Sequence, residues 1–336
     1  MDQSKMGTDW TDKEILLCPP SDIEIRRHIE KLNSLKEGEK AVANLIACGQ
    51  PAIEPLRQFL LGGKPSAVYH SRRWAVEALA ALGAKDILLE YLQQKKDIHD
   101  PAVRLGEEAV ESAAARELRR WPSEKVYQVL LGLIQEHFLP GAIETLGDFQ
   151  RPEAVSYLLK ALEDDVYRRF AEDALRKIGP RAKPDLIRVA LTPQISDGVE
   201  IPSSLLCRRS ACRLLAEIGI SADEWEELRP LLAEPDAGII VALFRIAEAA
   251  AGEKDQERAR RRLIEIIPKA DWFGRFEIQN ALMDHFDALQ PFVEEEILRR
   301  QQLAEGKDFV DPVLATLLRV KRRTERTAAS QKTARN

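Results

Sequence analysis

One pattern of thirteen residues is written three times in this chain. It reads "SRRWAVEALAALG" at Ser71–Gly83, "YRRFAEDALRKIG" at Tyr167–Gly179 and "CRRSACRLLAEIG" at Cys207–Gly219. Each copy gives Arg-Arg-x-Ala, then Leu, then an aliphatic residue and Gly. Repetition at this scale constrains the fold more than composition does. A short unit that cannot bury its own apolar face must stack on a copy of itself.

The Leu of the motif anchors the alignment at Leu79, Leu175 and Leu215. Weaker copies place it at Leu45 ("GEKAVANLIACG", ending at Gly49), at Leu118 ("ESAAARELRRWP") and at Leu146 ("LPGAIETLGDFQ"). In the copy at Leu118, Trp121 stands at the aliphatic position and Pro122 where Gly stood; in the copy at Leu146, Phe149 takes the aliphatic position. Successive anchors lie 34, 39, 28, 29 and 40 residues apart. A period of about 30 with insertions fits a helical hairpin rather than a propeller blade or a heptad.

The internal spacing agrees. Ala171, Ala174, Leu175 and Ile178 fall at i, i+3, i+4 and i+7, one stripe of an amphipathic helix. The two alanines allow a neighbouring helix to approach closely, and Gly179 supplies a left-handed cap. A proline then opens the next helix: Pro51 after Gly49, Pro152 after Gln150, Pro184 after Gly179. Each unit is therefore a helix A, a turn and a helix B with its own stripe.

The stretch "DDVYRRFAEDALRKIGPRAKPDLIRVAL" (Asp164–Leu191) resembles the HEAT repeat, in the short form of the HEAT-like repeats of phycobilisome lyases. The matching positions are Asp164 or Asp165, Arg168, Ala171, Leu175 and Gly179, and the resemblance is good over residues 35–235. From residue 236 the helical period persists in "IIVALFRIAEAA" and "FEIQNALMDHF", but the Arg pair and Gly are lost. Pattern and resemblance together predict an all-α chain, a right-handed α-solenoid (an α-α superhelix of the armadillo type) of stacked helical hairpins. About seven or eight repeats would span residues 21–318, divergent after 236. A flexible lead at 1–20 and a basic tail at 319–336 would flank them. The first Arg of each pair (Arg72, Arg168, Arg208) is expected to reach an acidic loop residue or carbonyls of the preceding repeat and tie the stack.

Hydrophobic residues at 45% and charged residues at 31% suit a chain that folds and stays in solution. Nothing approaches the ~18 apolar residues of a membrane span, and "MDQSKMGTDWTDKE" has no apolar region of a secretory signal. Cys18, Cys48, Cys207 and Cys212 form no CxxC and read as free thiols in a reducing cytosol, so the expected location is cytoplasmic. Five positions apart on a helix, Cys207 and Cys212 are a poor metal pair, and no metal or cofactor is expected.

The chemistry searched for is absent. His28, His70, His99, His137 and His285 form no His-Glu dipeptide, which excludes the paired motifs that hold two irons in deoxyhypusine hydroxylases, a repeat family of similar build. There is no phosphate loop, dinucleotide turn or nucleophile elbow. A DNA-glycosylase-like basic face with aromatics would call on Trp74, Trp121, Trp225 and Trp272, but Trp74 and Trp121 lie inside the packing pattern. The net charge of −5 is uneven: +6 over residues 319–336 and −11 over 1–318, which opposes phosphate binding by the body. The run "RARRRL" (Arg258–Leu263) reads as solvated i,i+4 pairs, and the acidic "DEWEELRPLLAEPD" (Asp223–Asp236) as a solvated face able to attract a basic partner.

The expected function is a non-enzymatic scaffold gripping a protein partner along a concave row of B helices. Arg57, Tyr91, Gln94, Tyr127, Lys160 and Arg188 would line the groove. The alternatives are a lyase-like or accessory subunit of a modifying enzyme, by resemblance, and a nucleic-acid-binding solenoid. Nucleic acid is expected at most at the tail, through Lys321, Arg322, Arg323 and Arg326.

Overall fold

The structure, a computed structural model, describes residues 21–304 and 311–333, with side chains described to residue 303 and over 311–326. The expected lead at 1–20, with Cys18, lies outside the described residues. The chain is all-α. It divides into two compact units, residues 1–133 and 134–336.

The first unit holds α1 (Asp22–Lys31), α2 (Gly38–Cys48), α3 (Ile53–Gly62), α4 (His70–Ala81), α5 (Lys85–Leu92), α6 (Pro101–Glu117) and the start of α7 (Glu124–Glu136). Its even-numbered helices pack in series, α2 on α4 and α4 on α6, and α1, α3 and α5 form a second row against them. The second unit runs from α8 (Pro140–Phe149) through α9 (Val155–Ala161), α10 (Arg168–Ile178), α11 (Lys183–Leu191), α12 (Pro202–Ile218) and α13 (Ala222–Leu228). It continues with α14 (Ala237–Ala250), α15 (Glu253–Glu265), α16 (Trp272–Asp284), α17 (Phe286–Ala304) and α18 (Pro312–Thr333). Here too each even-numbered helix packs on the next, from α8 to α18, while α9 meets α11, α11 meets α13 and α15 meets α17. The two-row order therefore continues past residue 236, where the sequence motif fades.

The repeat anchors are the core. Leu45, Leu79, Leu118, Leu146, Leu175 and Leu215 are all fully buried. Small residues set the helix spacing: a Cβ on Gly147 of α8 would sit 2.6 Å from the Cα of Ala174 on α10. No side chain fits between these two backbones.

The caps differ in one detail from the expected left-handed turn. Gly49, Gly83, Gly179 and Gly219 all have positive φ. Gly179, however, pairs φ 66° with ψ −132°, a region essentially confined to glycine. Gln150, standing where another copy has Gly, adopts the true left-handed conformation at φ 54°, ψ 32°. Pro184 opens α11 as expected, in its first turn, whereas Pro51 and Pro152 sit in 3-10 turns at Gln50–Ala52 and Pro152–Ala154, and Pro180 in another at Gly179–Ala182. Each turn leads straight into the next helix.

Two further features complete the fold. The first is α18, which runs through the boundary expected at residue 318 and carries the basic segment on as helix to Thr333. Its apolar stripe crosses that boundary: Val313, Thr316, Leu317 and Val320 are buried, and Lys321 Nζ lies 2.8 Å from Glu294 on α17. The second is a small antiparallel hairpin, β1 (Ile195–Ser196) and β2 (Val199–Glu200), between α11 and α12. Asp197 and Gly198 turn it with φ 52° and 78°, the Asp-Gly combination that tight hairpins favour.

Replacing Leu175 with Ala should cost about 2–5 kcal/mol by leaving a cavity between packed helices. Gly179→Val should cost a further ~1–3 kcal/mol of backbone strain although open space surrounds the position. Urea unfolding of both variants checks this; parent-like midpoints would show that the repeat motif does not set the packing.

Candidate interaction surface

The first Arg of each repeated pair has one job. Arg72 Nη2 donates to the Leu60 carbonyl (3.1 Å), Arg168 Nε to Leu162 (2.8 Å) and Arg208 Nε to Ala190 (2.8 Å). Each acceptor lies at the end of the preceding helix, where carbonyls lack an intrahelical partner and the helix dipole favours a cation. Arg262, in the last turn of α15, donates to the carbonyls of Leu232 (2.8 Å) and Glu234 (2.9 Å) at the end of the 3-10 turn that follows α13. The guanidinium groups then bind carboxylates: Arg72 reaches Glu107, Arg168 Asp165, and Arg208 both Glu200 (2.8 Å) and Glu234 (2.7 Å). The second Arg of the pair has no common role. Arg209 binds Asp236 at 2.5 Å, while Arg73 and Arg169 are exposed.

These latches hold the segments that enter α4, α10 and α12, and the segments entering several even-numbered helices display apolar side chains. In the first unit Leu35, Val68, Tyr69 and Leu105 are exposed in loops before α2 and α4 or near the start of α6, while Ile23 on α1 and Ile46 late in α2 are exposed elsewhere. The backbone at Ser66 and Ala67 packs directly on Gly106, between Val68 and Leu105. In the second unit Val166 before α10, Ile195 and Val199 in the hairpin before α12, and Trp272, Phe273 and Phe276 at the start of α16 are exposed at such positions, while Leu298 and Leu303 are exposed along α17. Helices joined through one antiparallel neighbour start on the same side. Within each unit the exposed residues at these helix starts therefore mark one edge of the even-numbered row.

The α16 cluster is the largest. Trp272 is 79% exposed and meets Phe273 edge-on at 5.9 Å between ring centroids; Phe276 lies one turn further along. Asp271 caps the helix by accepting from Gly274 N at 2.7 Å, and Arg275 Nε donates to the Ala270 carbonyl at 3.0 Å. The backbone beneath the rings is thus fixed at both ends of the first turn. Beside them burial pushes the Glu277 carboxyl up, opposed by the charges of Arg213, Arg209 and Arg245. Exposed rings on a fixed helix end, bordered by Arg, have the composition of a binding hot spot. Sequence periodicity did not reveal it: Trp272 was read as one aromatic of a spread-out set, and Phe273 and Phe276 were not singled out.

The residues expected to line a groove separate into different roles. Tyr91 and Tyr127 are fully buried on α5 and α7 and cannot meet a partner, since they fill the space between helices. Arg57 is tied to Glu90 at 2.7 Å. Gln94 is exposed just after α5. In the second unit Lys160 is exposed, 5.9 Å from the Tyr157 ring, and Arg188 is exposed and paired with Asp185. Four of the six belong to the first unit and two to the second, so they do not form one site within either unit. The tail residues Arg322, Arg323 and Arg326 are exposed on α18, and Lys321 is paired with Glu294.

The acidic and basic runs are mostly spent inside the fold. Glu234 and Asp236 bind Arg208 and Arg209, Asp255 accepts from Trp225 Nε1 at 3.1 Å, and Arg260 binds Glu248 at 2.7 Å. An open cleft of about 1090 Å³ between α13 and α15 is walled by such pairs, Arg229 with Glu226 and Arg261 with Glu257 among them. Trp74 packs on Gly38 and Trp225 is buried, so neither offers a stacking face. Cys207 and Cys212 are buried free thiols pushed up to about 12, chiefly by burial. Among the described residues no group of His, Cys, Asp and Glu is placed to hold a metal, and no helix is long and apolar enough to cross a membrane. No protein-family model matches the chain, and no curated protein matches it.

One buried charge network remains, in the first unit. Glu107 on α6, 2% exposed, accepts from Tyr91 Oη at 2.5 Å, from Lys96 Nζ at 2.8 Å and from Arg72. Lys96 also meets Glu111 at 2.8 Å and lies 3.7 Å from the centroid of the Tyr91 ring. Burial pushes the Glu107 carboxyl up, but hydrogen bonds from Lys96 and Tyr91 and the charges of Lys96 and Arg72 outweigh it and hold it below its ordinary value. Burial and the Glu107 charge push the Tyr91 phenol up. A carboxyl lowered by folding stabilises the protein above its unfolded pKa and loses that contribution as pH falls through the folded value. Glu107→Gln should therefore cost about 3–5 kcal/mol at pH 7, leaving buried cations uncompensated. Thermal melts should show the gap between variant and parent closing as pH falls below about 4; a gap independent of pH would show that the carboxylate charge is not what holds the network.

Proposed function

We propose that the chain is a non-enzymatic interaction scaffold, an α-solenoid of HEAT-like repeats, whose protein partner docks on the edge where the even-numbered helices begin. The two-row packing within each unit, the buried repeat leucines and the Arg-to-carbonyl latches support the repeat reading. The observation that carries the docking reading is the exposed ring cluster of Trp272, Phe273 and Phe276 on a capped helix start. A covered Trp or Phe buries roughly 150–250 Å², and such residues with neighbouring Arg dominate interface energetics. The partner segment is one that presents apolar side chains to the rings.

The edge, rather than the row of B helices, is favoured because the latter offers its aromatics to the core: Tyr91 and Tyr127 are buried, and Arg57 and Arg188 are paired. Affinity capture with isotope-labelled quantitative mass spectrometry of the captured peptides separates the two. Trp272→Ala/Phe276→Ala should reduce specific captured proteins by about 30-fold, the size of a hot-spot loss, with an unchanged melting temperature. The matching variant Arg57→Ala/Lys160→Ala/Arg188→Ala should capture as the parent does. The reverse result would move the site to the B-helix row, and equal capture by all three would remove the docking reading.

A further inference from the structure

Helix α18 carries four arginines in register. Arg319, Arg322, Arg323 and Arg326 fall at i, i+3, i+4 and i+7, so they line one face, and all four are exposed. The apolar stripe Val313, Thr316, Leu317 and Val320 turns inward, away from them. Among the described residues no carboxylate pairs with Arg319, Arg322 or Arg326, Arg322 donating only to the Leu318 carbonyl of its own helix (3.2 Å), whereas most other arginines of the second unit are spent on internal acids or on carbonyls of other elements. The surrounding charge sharpens the contrast: residues 319–336 carry +6 and the rest of the chain −11.

We propose that this arginine face binds the phosphate backbone of nucleic acid without reading its sequence. The guanidinium fork matches phosphate oxygens in pairs. Fixed on a helix rising 1.5 Å per residue, the row spans about 10 Å, enough to follow a few successive phosphates. Two other polyanions fit less well. An anionic membrane is held by a helix that inserts its apolar face, and that face of α18 is packed against the protein. An acidic protein partner needs an apolar centre to be desolvated, and no large apolar side chain stands among the four arginines. Backbone binding needs only positive charge in register. This inference is independent of the docking edge on α16.

Fluorescence anisotropy of the full chain with a labelled 20-base-pair duplex tests it. Binding should appear at about 20 mM salt, weaken steeply towards 150 mM, and be equal for duplexes of unrelated sequence. The slope of log affinity against log salt should lie near −3 to −4, at about −0.9 per phosphate. Arg319→Gln/Arg322→Gln/Arg326→Gln should lower affinity at least tenfold and reduce that slope by nearly three. The corresponding triple Lys variant keeps the charge and should keep the slope. Loss of binding in the Lys variant, retention in the Gln variant, or no duplex binding by the parent at low salt would each overturn the proposal. So would binding of polyglutamate or phosphatidylserine vesicles as tight as that of the duplex.

Discussion

The rest of the structure depends on one contact, an arginine at the start of a helix reaching the carbonyl at the end of the helix before it. Apolar stripes press helices together but leave their relative slide weakly defined, because dispersion and burial have little direction. A guanidinium donating to Leu60, Leu162 or Ala190 is directional and has one place to sit. It also satisfies a carbonyl that the helix itself cannot pair. Hydrogen bonds to charged groups contribute about 1.5–3 kcal/mol each, comparable to one well-buried aliphatic side chain. The loop between the helices is thereby held from both ends.

That arrangement explains which residues face outward. With its backbone latched, a connecting segment has no need to fold its own apolar side chains inward, and Val68, Val166, Val199 and Trp272 remain exposed. The same latches consume charge. Arg208 alone engages two carboxylates and a carbonyl, and Arg209 and Arg262 are similarly occupied. Much of the charge of a chain with 31% charged residues is thus committed to internal pairs. Two exposed features of the second unit stand apart from these pairs, a cluster of rings on α16 and the row on α18 that holds Arg319, Arg322 and Arg326.

The helices, their order and their anchors were legible because they follow from a period. Leu175 and its counterparts recur at the spacing that buries them, and Gly marks where φ turns positive. Periodicity says nothing about which polar or aromatic side chain between stripe positions faces out. Tyr91 and Tyr127 were expected in a groove because Tyr favours interfaces, yet each fills core space, and Tyr91 finds its partner in Glu107 from the next helix. The Asp197–Gly198 turn carried a readable hairpin signal that the search for helical repeats passed over. By composition alone Arg319–Asn336 cannot bury enough surface of its own, and what carries α18 past residue 318 is Val320 and the residues before it, whose stripe is completed by neighbouring helices.

Charge distribution also limits how a polyanion can lie against α18. A duplex rises about 3.4 Å per base pair, so an arginine row of about 10 Å covers roughly three steps before the strand runs on. Beyond that, a long duplex passes a body of net charge −11. Repulsion between exposed charges reaches about 10 Å at 0.1 M salt and about 30 Å at 0.01 M. Lowering salt therefore strengthens the arginine contacts and the repulsion together. The contacts win while the nucleic acid is short or crosses the helix; a long duplex laid along the body gains no further contacts and adds only repulsion. A crossing orientation, with the strand leaving α18 on the side away from the body, is the one these opposing terms select.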